Sequence, residues 1–156
     1  MFISDTHLPQ LLPAKAYSDE GWYKLECENV FHDAWWAVAF SVELQNDGDF
    51  LTVELPCGPV VLWRRDGVVR AFLNVCAHRL SRVTSKAKGC CKTLVCEYHG
   101  WEYSASGKTQ RIPDAPSFRP LEKDGLGLQQ LRVEVLGGIV FVSKSEDAAC
   151  LLYTSD

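Results

Sequence analysis

Two short boxes, Cys76-Ala77-His78 and Cys96-Glu97-Tyr98-His99, constrain this chain more than any other feature of its 156 residues. Seventeen residues separate them. Each box offers one thiolate and one imidazole, so a fold that uses both must bring two loops together. Two thiolates and two imidazoles can hold a two-iron, two-sulfide cluster, with Cys on one iron and His on the other. The same four residue types can also hold a tetrahedral zinc ion. Paired zinc ligands commonly stand two to four residues apart, and the single-residue gap of the first box fits that spacing poorly. Imidazoles in place of thiolates make a cluster less negative and raise its reduction potential. The boxes therefore point first to one-electron transfer.

In extended form the boxes read Cys76-Ala77-His78-Arg79 and Cys96-Glu97-Tyr98-His99-Gly100-Trp101. This resembles the Rieske domain of oxygenase alpha subunits, whose pattern is C-x-H-R-G followed by C-x-Y-H-G-W. The resemblance runs from about residue 12 to about residue 143. It takes in Leu12-Pro13-Ala14-Lys15-Ala16-Tyr17, Glu26 with Val30-Phe31 and Trp35, Gly48-Asp49-Phe50, and Asn74-Val75. It implies a [2Fe-2S] cluster held by Cys76, His78, Cys96 and His99. It also implies supporting roles for Arg79, Tyr98, Gly100, Trp101 and Tyr103. Gly100 would let the chain turn tightly beside the cluster. Trp101 and Tyr103 would shield it from water, which overlaps with ordinary core packing.

Two departures from related patterns carry information. The family pattern has Gly after His-Arg, and this chain has Leu80. A non-Gly residue forced to positive φ costs roughly 1–2 kcal/mol, so either the loop differs here or the chain belongs with members that carry a large residue there. Some O-demethylase and chlorophyll-pathway oxygenases resemble it in this respect. High-potential Rieske proteins carry an extra, disulfide-linked Cys in each loop. The matching positions here are Ser81 and Tyr98, and the Ser that bonds to their cluster is replaced by Trp101. Fewer hydrogen bonds to the sulfurs imply a potential at the low end of the Rieske range, suited to reduction by a ferredoxin or flavin reductase.

Composition bounds the rest. Hydrophobic residues make up 47% and charged residues 23%, as in ordinary globular chains. The net charge is −4, and no basic patch argues for nucleic acid as a partner. No apolar run approaches a membrane span. The N-terminal Met1-Phe2-Ile3-Ser4-Asp5 lacks the regions of a signal peptide. Five Cys lie outside the boxes: Cys27, Cys57, Cys150 and the adjacent Cys90-Cys91. Read as free thiols, Cys90-Cys91 being a surface or half-buried pair, they suit a reducing cytoplasm.

Along the chain, Pro9 and Pro13 punctuate an extended arm over 1–17. Ser18, ahead of Asp19 and Glu20, reads as a helix cap. Tyr23, Cys27, Val30, Phe31 and Ala34 then form a helical stripe expected to face the core, with Glu20 and Lys24 as an i,i+4 pair. Beyond Trp35-Trp36 the period becomes that of strands. Leu51, Val53 and Leu55 alternate with polar residues, and Asp66-Gly67 between apolar runs signals a hairpin. Gly137-Gly138 between Leu131–Val135 and Ile139–Val142 signals another. A Pro- and Gly-rich stretch spans 104–127. The expected fold is mainly β: the Rieske iron–sulfur fold, an antiparallel β sandwich with inserted cluster-binding loops, preceded by one N-terminal helix. The expected divisions are 1–34 for arm and helix, 35–143 for the Rieske domain, and 144–156 for a tail. The end of that tail, Cys150 to Asp156, resembles a translated sequencing-library adapter, which would make it a scar; the alternative is a genuine tail.

Family alpha subunits activate O₂ at a mononuclear Fe(II) held by two His and a carboxylate. Beyond the boxes this chain offers only His7 and His32, and no Asp/Asn-x-x-His-x4-His segment. The catalytic domain with that iron is thus expected to lie outside this chain, which reads as the electron-receiving part of an oxidoreductase. The full-length partner set implied is a ferredoxin or flavin reductase and a homotrimeric or alpha/beta hetero-oligomeric assembly. The substrate could be aromatic, an N- or O-methyl compound or a quaternary ammonium compound. The alternatives are a stand-alone Rieske-type ferredoxin and a zinc-stabilised binding module. Ferredoxins of this type usually lack the helical lead-in.

Overall fold

A computed structural model describes residues 12–56, 58–118 and 125–145. His7, Cys57, Cys150 and the adapter-like segment lie outside the described residues. Among the described residues the fold is built on ten strands: β1 (Trp36–Phe40), β2 (Asp49–Leu55), β3 (Gly58–Arg65), β4 (Val68–Leu73), β5 (Lys88–Cys90), β6 (Leu94–Val95), β7 (Glu102–Tyr103), β8 (Thr109–Arg111), β9 (Gln130–Leu136) and β10 (Ile139–Ser143). Seven of them form one antiparallel sheet in the order β1-β10-β9-β4-β3-β2-β5; the other three form a small sheet, β6-β7-β8.

Side-chain alternation explains why the large sheet is two-faced. On β3, Val60 and Leu62 enter one core with Leu44, Ala71, Leu131, Val140 and Val142. Val61 and Trp63 point the other way, into a second core with Phe50, Phe72, Leu94, Trp101 and Tyr103. The uninterrupted apolar run Val60–Trp63 is thus a central strand buried on both faces, each side chain contributing roughly 1.5–3 kcal/mol. The second core also contains Cys76 and Cys96, so both box thiols are rooted in the packed interior.

Both expected hairpins form. Asp66 and Gly67 have φ of 54° and 74°, and Gly137 and Gly138 have 58° and 82°. Positive φ at both central residues is the two-residue turn whose twist matches paired strands. Among the described residues, no helix is long and apolar enough to cross a membrane.

The lead-in differs from expectation in four ways. Ala14–Tyr17 form a 3₁₀ turn where an extended arm was expected. The cap of α1 (Glu20–Glu26) is Asp19, not Ser18: its side chain accepts a hydrogen bond from the Trp22 N–H at 3.1 Å. Lys24 reaches forward to Glu28 at 3.9 Å, where a pair with Glu20 was expected. The stripe is not core-facing: Tyr23 is 55% and Val30 57% exposed. The helical period is broken by a π turn over Cys27–Phe31. Of the stripe, Phe31 meets the β body through an edge contact with Trp36, 5.3 Å between ring centres. Periodicity reports that a face is apolar; it does not report that this chain supplies the cover.

Candidate metal centre

The first box follows β4 directly, and its loop is braced from beneath. Asn74 is fully buried. Its Oδ1 accepts from the backbone N–H groups of Val83 and Thr84, both at 3.1 Å, and its Nδ2 donates to the Thr84 carbonyl at 2.8 Å. These bonds close the loop that carries Cys76 and His78. The second box meets the same segment from the other side. Glu97 accepts from Thr84 Oγ1 (2.9 Å), the Ser85 N–H (3.1 Å) and Ser85 Oγ (2.7 Å), while its own N–H donates to the Val83 carbonyl at 3.0 Å. Residues 83–85 therefore act as a strap that couples both loops. Those bonds hold the Glu97 carboxyl below the usual carboxylate range, those from Ser85 contributing most.

The two loops repeat one turn. In the first, the Leu80 N–H donates to the Cys76 carbonyl (3.0 Å) and the Cys76 N–H to the Ser81 carbonyl (2.7 Å). In the second, Gly100 donates to Cys96 (2.9 Å) and Cys96 to Trp101 (2.8 Å). The residue four beyond each Cys takes positive φ, 57° at Leu80 and 70° at Gly100. Leu80 thus does not relax the turn; it adopts the conformation a glycine would take, at a cost of roughly 1–2 kcal/mol.

The four box residues come together as two pairs. Cys76 and Cys96 are buried, at 1% and 2% exposure, whereas His78 is half-buried and His99 exposed. The imidazoles lie edge to face, 4.7 Å between centres. Trp101 stacks on His78 at 4.8 Å and 5°, and Tyr98 covers His99 at 3.8 Å. The thiols sit inward and the imidazoles outward. Among the described residues, no three His, Cys, Asp or Glu side chains converge as one metal ion would require.

Proton affinities follow from these surroundings. Burial pushes the Cys76 thiol up, partly offset by the Tyr103 hydroxyl. Burial also acts upward on Cys96, but the N–H groups of Tyr98 and His99 and the Ser81 hydroxyl outweigh it and hold this thiol below its ordinary value. Burial, followed by the charges of His99 and Arg79, lowers the proton affinity of the His78 imidazole. Metal binds the neutral imidazole and the thiolate, so the shifts at Cys96 and His78 favour ligation and the one at Cys76 opposes it. Arg79 itself is exposed.

Sequence reasoning treated Tyr103 as packing, and the structure gives it more to do. Its fully buried hydroxyl lies 3.0 Å from Cys76 Sγ and accepts the Ala77 N–H at 3.1 Å. Ser81, read only as the place of an absent Cys, has its Oγ 3.7 Å from Cys96 Sγ. Tyr103 stands on β7 opposite Leu94, and no local sequence pattern signals its contact with Cys76. Of the other candidate residues, His32 lies after α1, hydrogen-bonded to Asp33 at 2.7 Å. Cys27, Cys90 and Cys91 are free thiols, with Cys90 exposed and Cys91 half-buried, as expected.

Comparisons with known proteins agree with this geometry. The Rieske [2Fe-2S] domain family model matches residues 34–147. The chain is 34% identical over 149 residues to the benzene 1,2-dioxygenase alpha subunit of Pseudomonas putida, covering 94% of this chain and 33% of that protein. It is 34% identical over 138 residues to the carnitine monooxygenase oxygenase subunit of Escherichia coli, covering 88% and 37%. Among solved structures, naphthalene 1,2-dioxygenase superposes with a TM-score of 0.82 at 30% identity, covering 88% of this chain and 32% of that one. A quaternary ammonium Rieske monooxygenase gives 0.81 at 28% identity, covering 89% and 39%. The chain spans about a third of the length of the curated relatives it matches.

Proposed function

The chain belongs to the Rieske [2Fe-2S] family, and from that premise we propose that Cys76 and Cys96 hold one iron of the cluster and His78 and His99 the other. It further serves as the electron-receiving part of an oxygenase alpha subunit. The observation that carries the ligand assignment is the division of the four side chains into a buried thiol pair and an outward imidazole pair on two loops of one design.

When bound, the cluster supplies reversible one-electron chemistry. The residues around it orient and insulate. Trp101 fixes the plane of the His78 ring by stacking, and Tyr98 lies against His99 at a tilt of 31°. Tyr103 holds a donor against the Cys76 sulfur. The strap over 83–85 keeps the two loops at one separation through Asn74 and Glu97. His99, the more exposed imidazole, is the proposed exit for the electron.

The proposed division is arm and helix over 1–34, electron-transfer domain over 35–143 and tail over 144–156. Electrons arrive from a ferredoxin or flavin reductase and leave for a mononuclear iron in a catalytic domain beyond this chain, within a homotrimer or alpha/beta assembly in a reducing cytoplasm. The relatives act on benzene in one case and carnitine in another, so a ring dioxygenase and a quaternary ammonium monooxygenase are both open to the intact protein. Iron and acid-labile sulfide analysis tests the ligand assignment. Equal iron and sulfide are expected, with His99→Cys lowering the potential or losing the cluster. A cluster indifferent to that exchange refutes it.

A further inference from the structure

The large sheet has a seam between β4 and β9. The two strands are neighbours, yet they pair only at Ala71 with Leu131 and Phe72 with Gln130. The Leu73 N–H adds one bond to the Gln129 carbonyl, at 2.9 Å. Past Ala71 and Leu131 the strands separate, although β4 stays paired to β3 as far as Val68 and β9 to β10 as far as Leu136. A groove of about 750 Å³ opens between them, with Val68, Val69 and Arg70 on one bank and Arg132, Val133 and Glu134 on the other.

Strand alternation places the groups in this groove. Leu73 and Gln129 bond across the seam, so Ala71 and Val69 on β4, and Leu131 and Val133 on β9, also turn their backbones toward it. The next rung would join Val69 to Val133, and it is not made. Two sheet edges therefore face each other with open main-chain groups. The Val69 and Val133 side chains pack, partly buried, on the core that holds Leu131 and Ala71. Arg70 and Arg132, one residue along, belong to the opposite face.

The groove is cationic in a chain of net charge −4. Arg70, Arg132 and Lys144 line it against one acid, Glu134. Glu134 is met by Arg132 at 3.6 Å, and Arg132 also lies over the Trp35 ring at 5.0 Å. Arg70 donates to the Arg65 carbonyl at 3.0 Å, a contact that neutralises no charge. Among the described residues, Arg70 and Lys144 form no ion pair.

An open strand edge is a template for another strand. A strand added there gains main-chain bonds, and its alternate side chains supply specificity. A small anion would match the cations and leave the edges open; a purely apolar ligand would leave the cations unmatched. We propose that the seam between β4 and β9 binds an extended acidic peptide segment of a partner protein. Its backbone bonds to Val69 and Val133. Its apolar side chains cover the floor those valines form, and the alternating carboxylates meet Arg70 and Lys144. The site uses no residue of the cluster-binding loops and stands apart from the ligand assignment.

The test uses the cluster-loaded protein and a fluorescein-labelled heptapeptide of alternating valine and glutamate, followed by fluorescence anisotropy. The peptide should bind, more weakly as salt rises, and its valine–lysine counterpart should not. Val69→Pro removes the N–H that faces the groove and leaves the bonds to β3, so affinity should fall about tenfold. Lys144→Glu, a surface change that does not threaten folding, should weaken binding about tenfold or more at low salt. Both variants should keep the wild-type cluster spectrum. Flat anisotropy up to about 1 mM glutamate peptide overturns the proposal, as does equal binding of the lysine peptide or unchanged affinity in Lys144→Glu. Displacement by tripolyphosphate as effective as by unlabelled peptide also overturns it, since the seam would then be an anion patch. So does a wild-type oligomer in sedimentation that Val69→Pro disperses, because a second copy of this chain would be the occupant.

Discussion

Replacing Tyr103 with Phe removes one oxygen atom and nothing else from a fully buried site. Two hydrogen bonds go with it: the hydroxyl's contact with Cys76 Sγ at 3.0 Å and the one it accepts from the Ala77 N–H at 3.1 Å. The second loss strands a backbone donor and costs about 1–3 kcal/mol of stability whatever the redox state. The first depends on redox state, because a reduced cluster places more negative charge on its sulfurs. Hydrogen bonds to charged groups contribute about 1.5–3 kcal/mol against about 0.5–1.5 for neutral pairs. The hydroxyl therefore favours the reduced state by about 1 kcal/mol. One tenfold step is about 1.4 kcal/mol or, for one electron, about 59 mV, so the potential of Tyr103→Phe should fall by about 40 mV. Titration of the cluster-loaded protein followed by electron paramagnetic resonance reads this directly. A potential that stays put or rises would mean that the hydroxyl does not donate to the sulfur, and the role given to Tyr103 would be wrong.

Three further outcomes follow from the loops. Leu80→Gly relieves roughly 1–2 kcal/mol of left-handed strain and gives back about 0.4–1 in unfolded-chain freedom; a melting temperature raised by a few degrees is expected, and a lowered one would show that Leu80 is not strained. Asn74→Ala strands Val83 N–H, Thr84 N–H and the Thr84 carbonyl; denaturant unfolding should show a loss of about 3 kcal/mol or more, and a loss under about 1 would contradict the bracing role. Glu97 titrates below the ordinary glutamate value of 4.5 in the folded protein, so its contribution is complete above that pH and disappears as pH falls through the lowered value. Thermal melts of wild type and Glu97→Gln should differ at pH 7 and converge in acid; a gap that persists at pH 2 would assign the effect to something other than the carboxylate.

The centre was more legible in the sequence than its surroundings. Metal ligation demands particular atoms at particular spacings, so Cys76, His78, Cys96 and His99 stand out before any fold is known. The hairpins at Asp66-Gly67 and Gly137-Gly138 were legible for a similar reason, since few residues accept positive φ twice in succession. The helix stripe was misread because an apolar face looks the same in sequence whether this chain or another surface covers it. The Tyr103 hydroxyl was missed because a buried Tyr reads as bulk until its oxygen is placed in space. The brace from Asn74 through the strap to Glu97 joins residues up to 23 positions apart. No local pattern announces such a link, because three-dimensional closure creates it.

The central claim is that two loops share one cluster with mixed ligation, and pulsed electron paramagnetic resonance on the reduced protein tests it most directly. The account predicts a rhombic signal with low average g and nitrogen couplings from two imidazoles. A silent protein carrying stoichiometric zinc would contradict it, and so would an iron–sulfur signal without nitrogen coupling.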